Sequence, residues 1–265
     1  MSKNQAEVTA VSFGGGGRCG AGRHIPVAEH YRDKNIACWM GTSIGGFIAI
    51  LIANGFSEQA MKNAMYQLWR PSMRSALHAI APKLINPFKL LKGTESELQK
   101  LSTYFGLLDQ TKHIEQWCKG LEWNNAQFGL FDLISRKPIV ADKDSGMPLH
   151  IALSATMAVP LVFSPVLWID AEGTRHLLID GGIAHCHPTV EGRKTAIVKC
   201  MTFPGRDWCW PDSEGDDIID IGVMPGWNVL FPPSRREIDK QVDEARTKFG
   251  AIKSATREWP FPLPL

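Results

Sequence analysis

The sequence lacks most of the features that place a chain in a specialised class. Its six cysteines form no C-x-x-C pair, so reduced thiols are expected rather than a disulfide framework. The longest apolar run, residues 47–53, is far too short to span a bilayer. The first residues contain no apolar signal core, so a cytoplasmic location is the default expectation, with peripheral membrane contact or export without a signal peptide as alternatives. The net charge of only +2 argues against a nucleic-acid partner.

What the sequence does contain is a regular alternation of short strands with helices. Strands are predicted for residues 8–13 and 36–40, and near 128–134, 161–168, 174–179, 195–203 and 217–223. Helices are predicted for residues 44–54, after Ser57, and after the capping boxes Thr94–Glu97 and Ser234–Glu237. The alternation predicts an α/β fold with a largely parallel sheet. A chain of 265 residues without an internal repeat is expected to form one domain over residues 1–265.

A glycine-rich loop, SFGGGGRCG at residues 12–20, follows the first predicted strand. Its Gly15-x-Gly17-x-x-Gly20 spacing formally matches a dinucleotide-binding fingerprint. That fingerprint needs an acidic residue after the second strand, whereas Asp33 comes before it. A phosphate-binding P-loop is disfavoured because no Gly-Lys-Ser/Thr follows the glycines.

Two interpretations of the loop remain, an anion hole and an ordinary tight turn. Consecutive glycines allow several backbone N–H groups to face one point, because no Cβ blocks a positive φ. An oxyanion that develops during acyl transfer needs such fixed donors. The candidate oxyanion-hole residues are Gly15, Gly16, Gly17 and Arg18, the last adding positive charge nearby.

The segment MGTSIGG places Ser43 between a predicted strand and a predicted helix. A nucleophilic serine of an elbow sits on such a sharp turn, and the small residues Gly41 and Gly45 let the turn pack. The helix that begins at Ile44 directs the positive end of its dipole toward the serine. The pattern therefore predicts a nucleophile, although a plain glycine-rich bend is the alternative.

A serine nucleophile needs a base, and the best candidate is Asp180 in LLIDGG. An Asp-Gly turn between two strands is its alternative interpretation. A triad of Ser43, Asp180 and either His185 or His187 has the chain order of an α/β-hydrolase, but the aspartate and histidine are unusually close in sequence. The His-Cys-His run at 185–187 has no supporting ligand cluster, so no metal and no cofactor are expected.

Taken together, these blocks resemble the patatin-like phospholipase family. Its pattern is a glycine oxyanion loop with a basic residue, then G-x-S-x-G, then Asp-Gly-Gly, and the matching blocks are residues 14–18, 41–45 and 180–182. The stretch LSATMAVPLVFSPV, residues 153–166, is similar to the family's segment of small residues before Pro and Phe-x-Pro. The resemblance spans residues 8–190. This chain departs from the pattern at Cys19, unless Gly20 takes the place of the last loop glycine, and at Cys186, where asparagine is common.

The resemblance implies a three-layer α/β/α sandwich with a mostly parallel central sheet and a Ser–Asp dyad without histidine. Asp180 is then the base for Ser43, and the N–H groups of residues 15–17 hold the oxyanion. The implied function is a serine lipid acyl hydrolase, phospholipase A-like, with a phospholipid or other lipid ester as substrate. An acyltransferase that uses the same acyl-Ser43 intermediate and a catalytically silent lipid-binding protein are the alternatives.

Membrane contact and a lid are further expectations. Residues 59–94 contain no acid, and their basic side chains alternate with large apolar ones, which suits either a lipid surface or a helical face that covers the core. In the family the region after the nucleophile helix often forms a cap, here expected over residues 66–125. A C-terminal helix is predicted at about 234–253, followed by an extended proline-rich tail over residues 257–265.

Overall fold

The computed structural model describes residues 7–68, 109–160, 162–184, 186–201, 217–223 and 233–257. Eight strands in these residues form one sheet: β1 (Ala10–Phe13), β2 (Cys38–Thr42), β3 (Ala126–Asp132), β4 (Lys137–Ala141), β5 (Val166–Ile169), β6 (Arg175–Asp180), β7 (Thr195–Met201) and β8 (Asp217–Val223). The helices are α1 (Gly17–Arg23), α2 (Ile25–Tyr31), α3 (Ile44–Ala53), α4 (58–68), α5 (Thr111–Trp117), α6 (Leu149–Thr156) and α7 (Arg235–Arg257).

The sheet has the strand order β5-β6-β3-β2-β1-β7-β8, and β4 pairs with β3 outside this path. The central strands β3, β2, β1, β7 and β8 run parallel to one another. Strands β4 and β6 pair with β3 antiparallel, and β5 pairs with β6 antiparallel. The alternation of the sequence therefore predicted the α/β class and the mostly parallel sheet correctly.

Helix α3 lies in the middle of the core. Every residue of α3 from Ile44 to Ile52 is buried, as expected of a helix that is apolar on all sides. Strands β1 and β2 are buried along their full length, which is typical of parallel strands covered on both faces. The junction between β2 and α3 is therefore held rigidly from several sides.

Two predicted helix starts are confirmed by their capping hydrogen bonds. The N–H of Ala60 donates to Ser57 Oγ at 3.3 Å, and the N–H of Glu237 donates to Ser234 Oγ at 3.2 Å. The capping box at Thr94–Glu97, most of the expected lid and the tail residues 258–265 lie outside the described residues. None of the helices described is long and apolar enough to cross a membrane.

The sequence patterns did not predict several elements, and they misplaced the end of another. Helix α1 starts within the glycine loop and contains three glycines, so its propensity argues against a helix. Strand β2 runs on to Thr42, two residues beyond its predicted end. Helices α2, α5 and α6 and strand β4 are short, and their apolar periodicity is too brief to identify them.

Candidate active site

Ser43 occupies a strained turn between β2 and α3. Its φ of 58° and ψ of −128° are rare for a residue with a side chain. The flanking glycines are required by close packing: a Cβ on Gly41 would lie 2.2 Å from the carbonyl carbon of Gly45, and a Cβ on Gly45 would lie 2.1 Å from the carbonyl oxygen of Phe13. The serine is 7% exposed, so it is presented at a narrow opening. A strained turn between a strand and a helix, packed closely through glycines, is the geometry expected of a nucleophile elbow.

The pairing of β3 with both β2 and β6 places Asp180 close to Ser43. Strand β2 pairs with the first part of β3 and ends with Thr42 opposite Gly129, while β6 pairs with the last part of β3 and ends with Asp180 opposite Leu130. Strand β4 occupies the opposite edge of β3, so β2 and β6 share one edge and meet end to end. The carboxyl ends of the two strands therefore bring Ser43 and Asp180 together.

Thr156, at the end of α6, fills the gap where the two strands meet. The N–H of Ser43 donates to Thr156 Oγ1 at 2.9 Å, and the Thr156 hydroxyl donates to the carbonyl of Gly129 at 2.8 Å. The N–H of Asp180 donates to the carbonyl of Ala158 at 3.1 Å. The small-residue segment after α6 thus satisfies the backbone groups that the broken ladder leaves unpaired.

Asp180 is a buried carboxylate that contacts the candidate nucleophile. It is 4% exposed, and its Oδ1 accepts the N–H of Gly182 at 2.8 Å. Burial raises the pKa of Asp180 to about 6, although hydrogen bonds from Ser43 and Gly182 act to lower it. Gly181 admits no side chain, because its Cβ would lie 2.5 Å from the backbone of Gly129. The Asp-Gly-Gly pattern therefore fits the carboxylate into the strand junction.

In the described part of the chain, no histidine hydrogen-bonds Ser43 or Asp180. His187 is buried against the glycine loop, its Cε1 lying 2.3 Å from where a Cβ on Gly14 would be. His176 pairs instead with Asp132 and Asp170, at 3.2 and 3.3 Å. His185 lies outside the described residues. Within those residues no group of three or more His, Cys, Asp or Glu side chains could hold a metal ion.

The glycine loop runs directly beside Ser43. A Cβ on Gly15 would lie 3.4 Å from the Cβ of Ser43, and Gly17 has a φ of 47° that favours glycine. Among the described residues, the N–H groups of Gly15, Gly16 and Gly17 have no hydrogen-bond partner, so they are available as donors. The guanidinium of Arg18 forms an ion pair with Glu237 on α7. The effect of its positive charge near Ser43 stays a prediction.

The structure gives a local reason for one of the two departures from the family pattern and locates the other. A Cβ on Gly20 would lie 2.6 Å from the Ile44 side chain, whereas Cys19 is half-buried and carries its side chain without conflict. Gly20 is thus the glycine that close packing requires. The thiol of Cys186 lies near the loop, 3.9 Å from where a Cβ on Gly15 would be.

A largely apolar cleft opens at Ser43. It is lined by Gly17, Ser43, Ile44, Leu68, Gln110, His113, Ile114, Met157, Val159 and Phe163. Six of these residues fall in blocks that the motifs singled out: Gly17, Ser43 and Ile44 in the glycine loop and the MGTSIGG turn, and Met157, Val159 and Phe163 in residues 153–166. The sequence patterns did not identify Leu68, Gln110, His113 and Ile114 as lining residues, because they come from distant segments and most of them resemble ordinary core positions.

The chain is similar to known proteins in sequence and in fold. The patatin-like phospholipase family matches residues 11–191. VipD from Legionella pneumophila has a TM-score of 0.53 at 13% identity, over 94% of this chain and 67% of VipD. The type III effector protein ExoU has a TM-score of 0.45 at 11% identity, over 94% of this chain and 53% of ExoU. No curated protein matches the sequence.

The family match covers more than half of the chain and includes both Ser43 and Asp180. The likeness to VipD shows a common fold, so the predicted α/β/α sandwich with a mostly parallel sheet is confirmed. The chain therefore belongs to the patatin-like phospholipase family.

Proposed function

We propose that this protein is a serine lipid acyl hydrolase, phospholipase A-like, that cleaves acyl esters of phospholipids or related lipids through an acyl-Ser43 intermediate. Membership of the patatin-like phospholipase family supports lipid ester hydrolysis in general. The observation that carries the finer proposal is the contact between a buried Asp180 and Ser43 on a strained elbow. A carboxylate and a hydroxyl placed in this way can exchange a proton without a histidine.

In the proposed reaction Asp180 accepts the Ser43 proton while Oγ attacks the ester carbonyl. The N–H groups of residues 15–17 stabilise the oxyanion of the tetrahedral intermediate. As the intermediate collapses, the C–O bond to the alcohol breaks and Asp180 returns the proton to the leaving oxygen. Water then attacks the acyl-serine with Asp180 as base again, which releases the fatty acid and restores the Ser43 hydroxyl.

The environment of Asp180 suits this role. An ordinary aspartate has a pKa of about 4 and is a weak base. Burial raises the pKa of Asp180 to about 6, so the carboxylate is a stronger base yet remains mainly ionised at neutral pH. A carboxylate with an ordinary pKa would take the serine proton far less readily.

The cleft beside Ser43 supports a lipid substrate. Its lining includes Ile44, Leu68, Ile114, Met157, Val159 and Phe163, which offer mainly hydrocarbon surface. Each methylene of an acyl chain buried there contributes about 0.8 kcal/mol. An ester with a short or polar acyl group would bury little hydrocarbon against this lining. The lining therefore favours a fatty acyl group.

Release of fatty acid from phospholipid vesicles tests the proposal. Wild-type protein, Ser43→Ala and Asp180→Asn are compared, with Asp144→Asn as a control because that carboxylate is exposed and plays no part in the proposed site. We expect release by wild type and by the control, a loss of at least about 1000-fold in Ser43→Ala, and a loss of about 100- to 10,000-fold in Asp180→Asn. A wild type that neither releases fatty acid nor reacts with a fluorophosphonate would refute the hydrolase proposal, and so would an active Ser43→Ala. Adding an alcohol acceptor distinguishes transfer from hydrolysis.

A further inference from the structure

Two peptide groups of the glycine loop are bound by side chains through their carbonyl oxygens. In a trans peptide the C=O and N–H bonds point in opposite directions, so fixing one bond fixes the other. The carbonyl of Gly14 shares a peptide plane with the N–H of Gly15, and the carbonyl of Gly15 shares one with the N–H of Gly16. Whatever binds these two carbonyls therefore sets the direction of two of the candidate oxyanion donors.

The first carbonyl is bound by a buried histidine. His24, at the junction of α1 and α2, has its Nε2 at 2.9 Å from the Gly14 oxygen and is completely buried. Its Nδ1 finds no hydrogen-bond partner among the described residues. A carbonyl can only accept, so the ring donates from Nε2 and its bare nitrogen is Nδ1. Burial lowers the pKa of His24 to about 3, so the ring stays neutral over the working pH range.

The second carbonyl is bound by a buried thiol from a different element. The Sγ of Cys200, on β7, lies 3.3 Å from the Gly15 oxygen and 3.9 Å from the Gly14 oxygen. A thiol is a weak donor, so this contact constrains the peptide less than the histidine does. Cys200 is also in close contact with the loop itself, because a Cβ on Gly16 would lie 2.2 Å from Sγ.

Gly20 provides the space in which both side chains reach the loop. A Cβ at this position would lie 3.1 Å from His24 Nε2 and 3.1 Å from Cys200 Sγ. The two side chains come from elements far apart in sequence and converge on the face of the loop opposite its N–H groups. This convergence is specific to the loop, since the same two groups serve no part of the Ser43–Asp180 contact.

We propose that His24 and Cys200, the carbonyl anchors, are positioning residues that turn the N–H groups of Gly15 and Gly16 toward the oxyanion. The inference rests on the proposed hydrolase function for its catalytic consequence and on the two hydrogen bonds for its geometry. The hydrogen bonds of the anchors described above end on the Gly14 and Gly15 carbonyls and not on Ser43 or Asp180, so we expect their effect on transition-state stabilisation rather than on substrate binding.

Steady-state kinetics with a soluble short-chain ester test the catalytic consequence. His24→Leu keeps the volume and removes the donor, whereas His24→Gln places an amide N–H near the position of Nε2. We expect His24→Leu to lower kcat by about 10- to 100-fold with KM within about twofold, and His24→Gln to recover most of the loss. His150→Leu, on α6, is the control. Equal losses in His24→Leu and His24→Gln, or a change confined to KM, would overturn the proposal.

Nuclear magnetic resonance on the protein without substrate tests the geometry independently of activity. In wild type the neutral His24 ring must carry its proton on Nε2, and a proton on Nδ1 would contradict the inference. This measurement needs only the wild-type protein, so it does not depend on whether His24→Leu folds. The amide resonances of Gly15 and Gly16 should move in His24→Leu and return in His24→Gln, and unchanged resonances would overturn it. If wild type proves inactive, the proposed function fails while these resonances still decide the positioning role.

The second anchor is tested with Cys200→Ser and Cys200→Ala. Serine retains a donor on a side chain of similar length, whereas alanine leaves the Gly15 carbonyl without one. We expect alanine to lower kcat by about 3- to 10-fold, less than His24→Leu because a thiol donor is weak, and serine to stay within about threefold of wild type. A serine variant as impaired as alanine would remove Cys200 from the proposal.

Discussion

At the scale of single residues, two buried carboxylates on paired strands behave in opposite ways. Asp180 ends β6 and Asp132 ends β3, and they are 4% and 1% exposed. Burial acts to raise the pKa of both. Hydrogen bonds from Ser135, Ile134, Leu177 and His176 outweigh it at Asp132 and lower the pKa of that carboxyl. Asp180 has fewer donors, so burial prevails there. Ionised Asp132 therefore stabilises the folded state. Ionised Asp180 destabilises it, and the same burial makes Asp180 a stronger base.

The cost at Asp180 predicts a pH-dependent stability difference. In the unfolded chain its pKa is about 4 and in the folded chain about 6, so the folded state favours the protonated form. Below pH 4 the Asp180 carboxyl is neutral in both states, so its burial does not destabilise the folded state. The stability of the wild-type protein is then lost as the pH rises through about 6. Asp180→Asn should therefore be more stable than wild type by about 2–3 kcal/mol at pH 7.5, measured by urea unfolding, with the gain vanishing near pH 4.

Asp132→Asn is the matched control with the opposite sign. Its folded pKa is lowered, so ionised Asp132 contributes stability above its unfolded pKa, and that contribution is lost as the pH falls through the folded pKa. The variant should be less stable than wild type at pH 7.5, with the difference shrinking in acid. Equal pH profiles for Asp180→Asn and wild type would mean that the carboxyl is not the buried base described above.

At the scale of elements, the site depends on a break between two strands that share an edge. Thr156 is the group that closes this break, because its hydroxyl accepts from Ser43 and donates to Gly129. Thr156→Val is nearly isosteric and leaves both backbone groups buried and unpaired. We expect a loss of about 2–4 kcal/mol in the free energy of unfolding, against about 1 kcal/mol for Thr156→Ser, which keeps the hydroxyl. Equal losses would show that the methyl group matters rather than the hydrogen bonds.

The end-to-end meeting of β2 and β6 also predicts the effect of a single methyl group. Gly181→Ala places a Cβ 2.5 Å from the Gly129 backbone, so β6 has to shift and carry Asp180 away from Ser43. Activity should fall by at least about 100-fold, since small displacements of a catalytic group are that costly. Gly250→Ala is the comparison, because nothing lies within 4 Å of its Cβ on helix α7. That variant should keep full activity and gain about 1 kcal/mol of stability. Retained activity in Gly181→Ala would contradict the strand-junction geometry.

The elements that the sequence predicted are those whose chemistry is local. The elbow needs Gly41 and Gly45 for packing within a few residues, and Asp180 needs Gly181, so short motifs record both. Thr156 and the carbonyl anchors act across 113, 10 and 185 residues of chain, and no spacing rule connects such positions. Helix α1 was missed for a related reason, because its glycines serve packing against distant groups rather than helix propensity.

At the scale of the whole molecule, the C-terminal helix α7 supports the glycine loop from outside the family match. The match ends at residue 191, whereas α7 covers Arg235–Arg257. Gln241 accepts the N–H of Gly22 at 2.9 Å and donates to the carbonyl of Arg18 at 3.0 Å, so it binds both ends of α1. The ion pair of Arg18 with Glu237 adds to this contact. Helix α7 thus holds α1, and with it the end of the glycine loop from which α1 begins.

Gln241→Leu tests whether α7 stabilises the site. The variant keeps the volume but removes the side-chain hydrogen bonds to the Gly22 N–H and the Arg18 carbonyl, so we expect a loss of about 2–3 kcal/mol in the free energy of unfolding and reduced activity. Lys240→Ala, one residue away on a side chain that is 73% exposed, should change stability by less than about 0.5 kcal/mol. Thermal and urea unfolding measure both. A neutral Gln241→Leu would show that α7 packs on α1 without supporting it.

The central claim is that Asp180 takes the Ser43 proton directly. The most direct measurement is the single-turnover rate of Ser43 acylation by a neutral ester between pH 4.5 and 8.5. The rate should rise tenfold per pH unit and level off near pH 6, as expected from the raised pKa of Asp180, and His187→Gln should keep that bend. Asp180→Asn should lose the bend and about 100- to 10,000-fold of the rate. A wild type with no bend, or an Asp180→Asn variant that acylates normally while His187→Gln does not, would contradict the account.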